Sequence, residues 1–93
     1  MEIRYYVCGL GYDKDDDVND YEVFFGDFDT CEEAYKLLDE LESRSVESFF
    51  VNASNVYKIE IRLEECEETE EATECIDVLD EFGVINPNFK EEE

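Results

Sequence analysis

The stretch Leu63–Phe82, LEECEETEEATECIDVLDEF, decides how this chain is read. Ten of its twenty residues are Asp or Glu, and none is Lys, Arg or His. Its apolar residues Ala72, Cys75, Ile76, Leu79 and Phe82 recur at helical spacing. Thr69 stands where an N-cap belongs, and Gly83 where a helix C-terminus takes a left-handed residue. The pattern predicts a helix over 69–82. On it Glu70, Glu74, Asp77 and Glu81 follow i, i+4, i+7, i+11, an outward stripe about 16 Å long at ~1.5 Å per residue. Glu64, Glu65, Glu67 and Glu68 extend the charge upstream, and Glu71 adds to it. Like charges at i, i+4 cost a helix about 0.2–0.5 kcal/mol each. Asp80 and Glu81 also oppose the helix dipole. Local stability does not select such a pattern, so a binding surface is the expectation.

The stretch begins at the end of VYKIEIRLE (56–64), the clearest strand in the chain. Tyr57, Ile59, Ile61 and Leu63 face one way, and Lys58, Glu60, Arg62 and Glu64 the other, as in a sheet covered on one side. EIRYYVCGLGY (2–12) alternates in the same manner, with Ile3, Tyr5 and Val7 on the apolar face. YEVFFGDF (21–28) completes a hairpin with it across an acidic loop. Thr30 and Glu33 have capping-box spacing, and Ala34, Leu37, Leu38 and Leu41 form the apolar stripe of a helix ending near 43–45. Segment 45–55 reads either as a short strand with a turn at NASN or, by preference, as an irregular stretch whose Phe49 and Phe50 plug the core. The order is β-β-α-(β)-β-α. The expected fold is an α+β two-layer sandwich, a three- or four-stranded antiparallel sheet with two helices on one face. Residues 1–89 form one small domain, and 90–93 form a frayed acidic tail. Arg4, Lys58 and Arg62 share the open face with Glu2, Glu22, Glu60 and Glu64, which allows cross-strand charge pairs.

In 93 residues, 29 acidic side chains against 7 basic ones give a net charge of -22. With 43% hydrophobic residues the chain is too apolar for a disordered acidic tail. Solubility needs a net charge of only about 2–8 in magnitude, so the excess asks for a reason. Direct nucleic-acid binding runs on cations, and so does docking on anionic membranes; both are excluded as primary roles. No apolar run reaches the length of a membrane span. The natural partner is a basic protein, in particular a nucleic-acid-binding enzyme.

Catalysis finds little support. The chain has no histidine, which removes Ser-His and Cys-His nucleophile systems. It has no phosphate-cradling glycine motif, and its carboxylates are too abundant to mark an acid–base pair. The four cysteines, Cys8, Cys31, Cys66 and Cys75, form no CxxC pair, so no metal site and no cofactor are expected. With MEIRYYVCGL reading as a strand and not a leader peptide, they are expected to be reduced and mostly buried in a cytoplasmic protein. In the loop DKDDDVND (13–20), Asp13, Asp15 and Asp17 match the first ligand positions of an EF-hand. Val18 and Phe24 then stand where Gly and Glu are required, so a solvated turn is the simpler reading. Among the aromatic residues, Tyr6, Tyr12 and Phe24 are candidates for exposure on the sheet, where an aromatic anchors a partner.

These features lead to a non-enzymatic acidic binding protein. It offers Glu64, Glu65, Glu67, Glu68, Glu70, Glu71, Glu74, Asp77 and Glu81, together with Asp13, Asp15, Asp16 and Asp17, to the basic groove of another protein. In size and charge the chain resembles the class of phage-encoded inhibitors of host defence, the anti-CRISPR and anti-restriction proteins, although no motif identifies a named family. The resemblance implies a DNA mimic from a phage or mobile element. The alternative is a small soluble bacterial or mobile-element domain with a housekeeping or weak divalent-cation-binding role.

Overall fold

A computed structural model describes residues 2–15 and 17–89, with the backbone alone at Asn19. The elements are β1 (Glu2–Tyr12), β2 (Val18–Phe28), α1 (Cys31–Glu42), a short 3-10 helix (Val46–Phe50), β3 (Lys58–Glu68) and β4 (Thr73–Ile85). The strands form one antiparallel sheet in the order β2-β1-β3-β4. The expected tail, 90–93, and Asp16 lie outside the described residues.

The fold is α+β, but the second helix is absent, which corrects the two-helix expectation. The segment read as a helix over 69–82 is a tight turn followed by β4. Thr69 does cap, but it caps the turn. Its Oγ1 accepts from the Ala72 N–H at 3.2 Å, and its own N–H donates to the Ala72 carbonyl at 3.0 Å. Ser and Thr hydroxyls make the same local bonds at turns as at helix starts. Gly83 is a mid-strand residue paired with Glu60, not a helix cap. Two effects favour the strand. As a helix the segment would stack carboxylates at i, i+4, and Thr73, Ile76, Val78, Val84 and Ile85 are β-branched. As a strand it also pairs the outer edge of β3, whose backbone groups beside buried Ile59, Ile61 and Leu63 need partners.

The first helix forms as read. Thr30 Oγ1 accepts from the Glu33 N–H at 3.3 Å, and Ala34, Leu38 and Leu41 are buried against the sheet. Segment 46–50 is the short 3-10 helix, and Phe49 and Phe50 enter the core. Gly11 faces the helix side at a point of close approach, where an added Cβ would lie 2.9 Å from Tyr21 Cβ and 3.0 Å from Val56 Cγ1. Asn86 anchors the chain after β4. Its buried amide donates to the Val56 carbonyl at 2.9 Å and the Ser54 carbonyl at 3.3 Å.

Length mismatch shapes the molecule. Twelve residues of α1 span about 18 Å, while the eleven residues of β3 span about 36 Å. The helix and its 3-10 extension therefore cover Val7–Gly11, Ile59–Leu63 and Leu79–Val84. The other half of the sheet, residues 2–4, 64–68 and 73–78, projects beyond them, while Tyr5 still packs against the core. The radius of gyration is 14.3 Å and the extents are 49 × 28 × 18 Å, against about 12 Å expected for a compact chain of this length. Among the described residues no helix is long and apolar enough to cross a membrane.

Candidate functional site

The projecting half of the sheet carries most of the residues singled out from the sequence. Register settles their faces. Glu67 lies directly opposite Glu74, and Glu65 opposite Asp77, all on the side that α1 would cover if it were longer. Next to them on β1 stand Ile3, opposite Glu67, and Tyr5, opposite Glu65. The four carboxylates thus form a two-by-two grid bordered by the partly exposed Ile3 and the half-exposed Ile76. Like charges directly opposite on neighbouring strands destabilise a sheet. Among the described residues no cation pairs with any of the four. Glu70 and Glu71 extend the acidic surface around the turn.

The helical stripe of Glu70, Glu74, Asp77 and Glu81 does not exist. Glu70 is in the turn, Glu74 and Asp77 share one face, and Glu81 faces the other way opposite Arg62. The loop residues Asp13, Asp15 and Asp17 are exposed at the far end of the sheet from the 69–72 turn, so the fold does not unite them with the projecting half.

The opposite, open face holds the chain's internal cations. Arg4 bridges Asp27 at 2.6 Å and also Asp29, and reaches Glu68 at 3.8 Å. Lys58 and Arg62 lie 3.7 and 3.1 Å from Glu60. Arg62 Nε stands 3.4 Å from Glu81 Oε2 without hydrogen-bond alignment, which leaves that buried N–H unsatisfied. The Tyr12 hydroxyl and then Arg62 hold the Glu60 carboxyl below its ordinary range. Glu60, Glu68 and Glu81 are therefore neutralised within the molecule, while Glu65, Glu67, Glu74 and Asp77 are not. Tyr6 and Phe24 stack edge to face on this side with centroids 5.9 Å apart, and Phe24 is 60% exposed.

The open face also carries a second constellation, which the absence of a CxxC pair does not reveal. Cys8 of β1, Glu64 and Cys66 of β3, and Cys75 of β4 converge there. Cys8 Sγ donates to Glu64 Oε1 at 3.0 Å. Ligand atoms of Glu64, Cys66 and Cys75 all lie within 4.8 Å of one another. Burial, then the hydrogen bond to Glu64, pushes the Cys8 thiol up to about 12. Desolvation, then the same carboxylate, does the same to Cys75, also up to about 12. Burial raises Cys66 as well. A raised thiol pKa favours the protonated form over the thiolate. The cysteines are also less buried than expected: Cys66 is buried, Cys8 and Cys31 are intermediate, and Cys75 is exposed. The sequence did hold a signal for the cluster. Cys8 and Cys66 both fall on the polar faces of their strands, out of phase with Val7 and Leu63.

A groove of about 430 Å³ lined by Cys8, Leu10, Glu22, Phe24 and Glu64 adjoins the cluster. Comparison of the chain with protein-family models, curated proteins and solved structures returned no match.

Proposed function

We propose that the protein is a non-enzymatic, cytoplasmic binding protein that inserts its acidic arm into the basic groove of a nucleic-acid-binding enzyme. It acts there as a nucleic-acid mimic of the anti-restriction or anti-CRISPR type. The observation that carries this reading is the uncompensated grid of Glu65, Glu67, Glu74 and Asp77, placed where the sheet outruns its helix. Intramolecular cations neutralise other carboxylates on the sheet but leave these, so a cationic partner relieves a repulsion that folding leaves in place.

The magnitudes are consistent with mimicry. Of the eight carboxylates between Glu64 and Asp77, Glu68 is held by Arg4 and Glu64 lies on the open face beside Cys8, which leaves six. Five residues of strand and a tight turn make an arm about 20 Å long, or one charge per ~3.3 Å. Each strand of duplex DNA carries one per ~3.4 Å of axis. A net charge of -22 adds long-range steering toward a cationic cleft.

The test uses tagged protein in host lysate at low and high salt. Retained proteins are challenged with duplex DNA and with RNA. The expected result is a nucleic-acid-binding protein that either competitor releases, and that the triple variant Glu65→Lys, Glu67→Lys, Glu74→Lys fails to retain while keeping the wild-type circular dichroism spectrum. Equal retention by the folded triple variant, or retention that nucleic acid does not compete, overturns the proposal.

A further inference from the structure

We infer that Glu64, Cys66 and Cys75 form a binding site for a single thiophilic divalent cation of the zinc class, on the open face of the sheet, with the Cys8 thiol holding the Glu64 carboxylate in place. This inference is independent of the acidic-arm reading, which rests on the opposite face.

The geometry begins with register. β3 and β4 pair regularly as far as Leu63 opposite Asp80. Two irregularities follow, between Leu63 and Glu64 and between Glu65 and Cys66, at which Leu79 and Ile76 drop out of the pairing. Together they bring Cys75 directly opposite Cys66. With only the first, Cys66 would face Ile76 and Cys75 would point to the other side of the sheet. β1 is irregular against β2 at Val7/Cys8 as well. Bulges of this kind re-aim side chains and gather next to functional sites. Here they place two of the chain's four cysteines beside the Glu64 carboxylate, which also accepts a hydrogen bond from a third, Cys8. The fourth, Cys31, begins α1 on the opposite face.

The donor set selects the ion. Tetrahedral zinc takes sulfur at about 2.3 Å and carboxylate oxygen at about 2.0–2.2 Å, so its ligand atoms stand roughly 3.5–3.8 Å apart. Small side-chain rotations of Glu64, Cys66 and Cys75 close the 4.8 Å envelope to that distance. Cys8, opposite Arg62 and four residues along β3 from Cys66, lies outside it and orients the carboxylate through its hydrogen bond, as outer partners of metal ligands do. Calcium and magnesium require six or more oxygen ligands, of which this site has one source. Two sulfurs favour zinc and its soft neighbours, with a water free to complete the tetrahedron. Glu64 adds a carboxylate oxygen to the sulfur donors. Each thiol that binds gives up its proton to solvent, and the ion ends among thiolates and one carboxylate. Cys66 forms the buried floor and Cys75 the exposed rim, which provides an entry path.

The experiment uses the full chain, reduced and stripped of metal, titrated with Co2+ and then with Zn2+. The expected result is one Co2+ per chain, with thiolate-to-cobalt charge-transfer absorption and the visible bands of tetrahedral cobalt, all removed by one equivalent of Zn2+. One equivalent of Zn2+ raises Tm, whereas one equivalent of Mg2+ at matched ionic strength does not. Cys66→Ser and Cys75→Ser lose the charge-transfer band, Glu64→Gln and Cys8→Ser weaken binding at least tenfold, and Cys31→Ser binds as wild type. Absence of the charge-transfer band in the wild-type chain overturns the inference whatever the variants do. It is also overturned by Co2+ that excess Mg2+ displaces, or by a protein that in air converts Cys66 and Cys75 to a disulfide and when reduced binds no Co2+.

Discussion

Replacing Glu74 with Lys should stabilise this protein while removing part of its binding surface. Glu74 stands directly opposite Glu67, and Cβ atoms of such pairs lie about 4.5–5.5 Å apart. Two unit charges about 5 Å apart in water repel by about 0.8 kcal/mol. A Debye length of about 8 Å at physiological ionic strength reduces this to roughly 0.45 kcal/mol. Glu74→Gln removes the repulsion and should gain about that much; Glu74→Lys replaces it with attraction and should gain about 0.9 kcal/mol. For a domain of this size, 1 kcal/mol moves Tm by about 4–8 °C, so the Lys variant should melt some 4–7 °C higher. With a Debye length of about 30 Å at low salt the gain should rise to about 1.4 kcal/mol. The assay is urea and thermal unfolding of reduced, chelator-treated wild type, E74Q and E74K at two ionic strengths. A double-mutant cycle with Glu67→Gln isolates the pair. An E74K variant no more stable than wild type, or a gain that salt does not change, would refute the claim that the grid is held against electrostatic repulsion.

Two further predictions concern the body of the sheet. Glu60→Gln should lower stability at neutral pH. The Tyr12 hydroxyl, Arg62 and Lys58 hold the Glu60 carboxyl below its ordinary value in the folded state. Its contribution is therefore present above the unfolded carboxylate pKa, near 4.5, and is lost as pH falls through the lower folded value. Urea midpoints measured against pH should show the wild-type advantage vanishing in acid, and an advantage that persists there would contradict the assignment. Gly11→Ala should cost about 1–3 kcal/mol, because the new Cβ meets Tyr21 Cβ at 2.9 Å, an atom its own backbone holds in place. An unchanged urea midpoint would show that the close approach is not real.

The parts of the fold that one segment decides alone were legible in the sequence. Alternation in EIRYYVCGLGY and KIEIRL gave two strands and their apolar faces, because one side of each meets a core and the other meets water. Thr30, Glu33 and the Ala34–Leu41 stripe gave α1, because caps and amphipathic spacing act within a few residues. Phe49 and Phe50 were legible as core for their bulk. The reading failed at 69–82. Ala72, Cys75, Ile76, Leu79 and Phe82 fit a helix by spacing, yet of these only Leu79 and Phe82 pack against the core, while Cys75 and Ile76 are exposed. Two bulges break the strand's period and hide its alternation.

By itself, then, the sequence determined the charge, the core residues of β1, β3 and α1, and the concentration of carboxylates between Glu64 and Glu81. Tertiary structure decided how those carboxylates are displayed. A helix would have drawn Glu70, Glu74, Asp77 and Glu81 into one line; pairing with β3 sends them to a turn and two faces. It also separated the loop aspartates from the arm and brought Cys8, Cys66 and Cys75 together across three strands. The physical reason is the range of the interactions. Capping, propensity and amphipathic spacing act over about four residues and can be read along the chain. The edge of β3 is satisfied only by a strand from elsewhere, and bulge positions in that pairing set which side chains share a face.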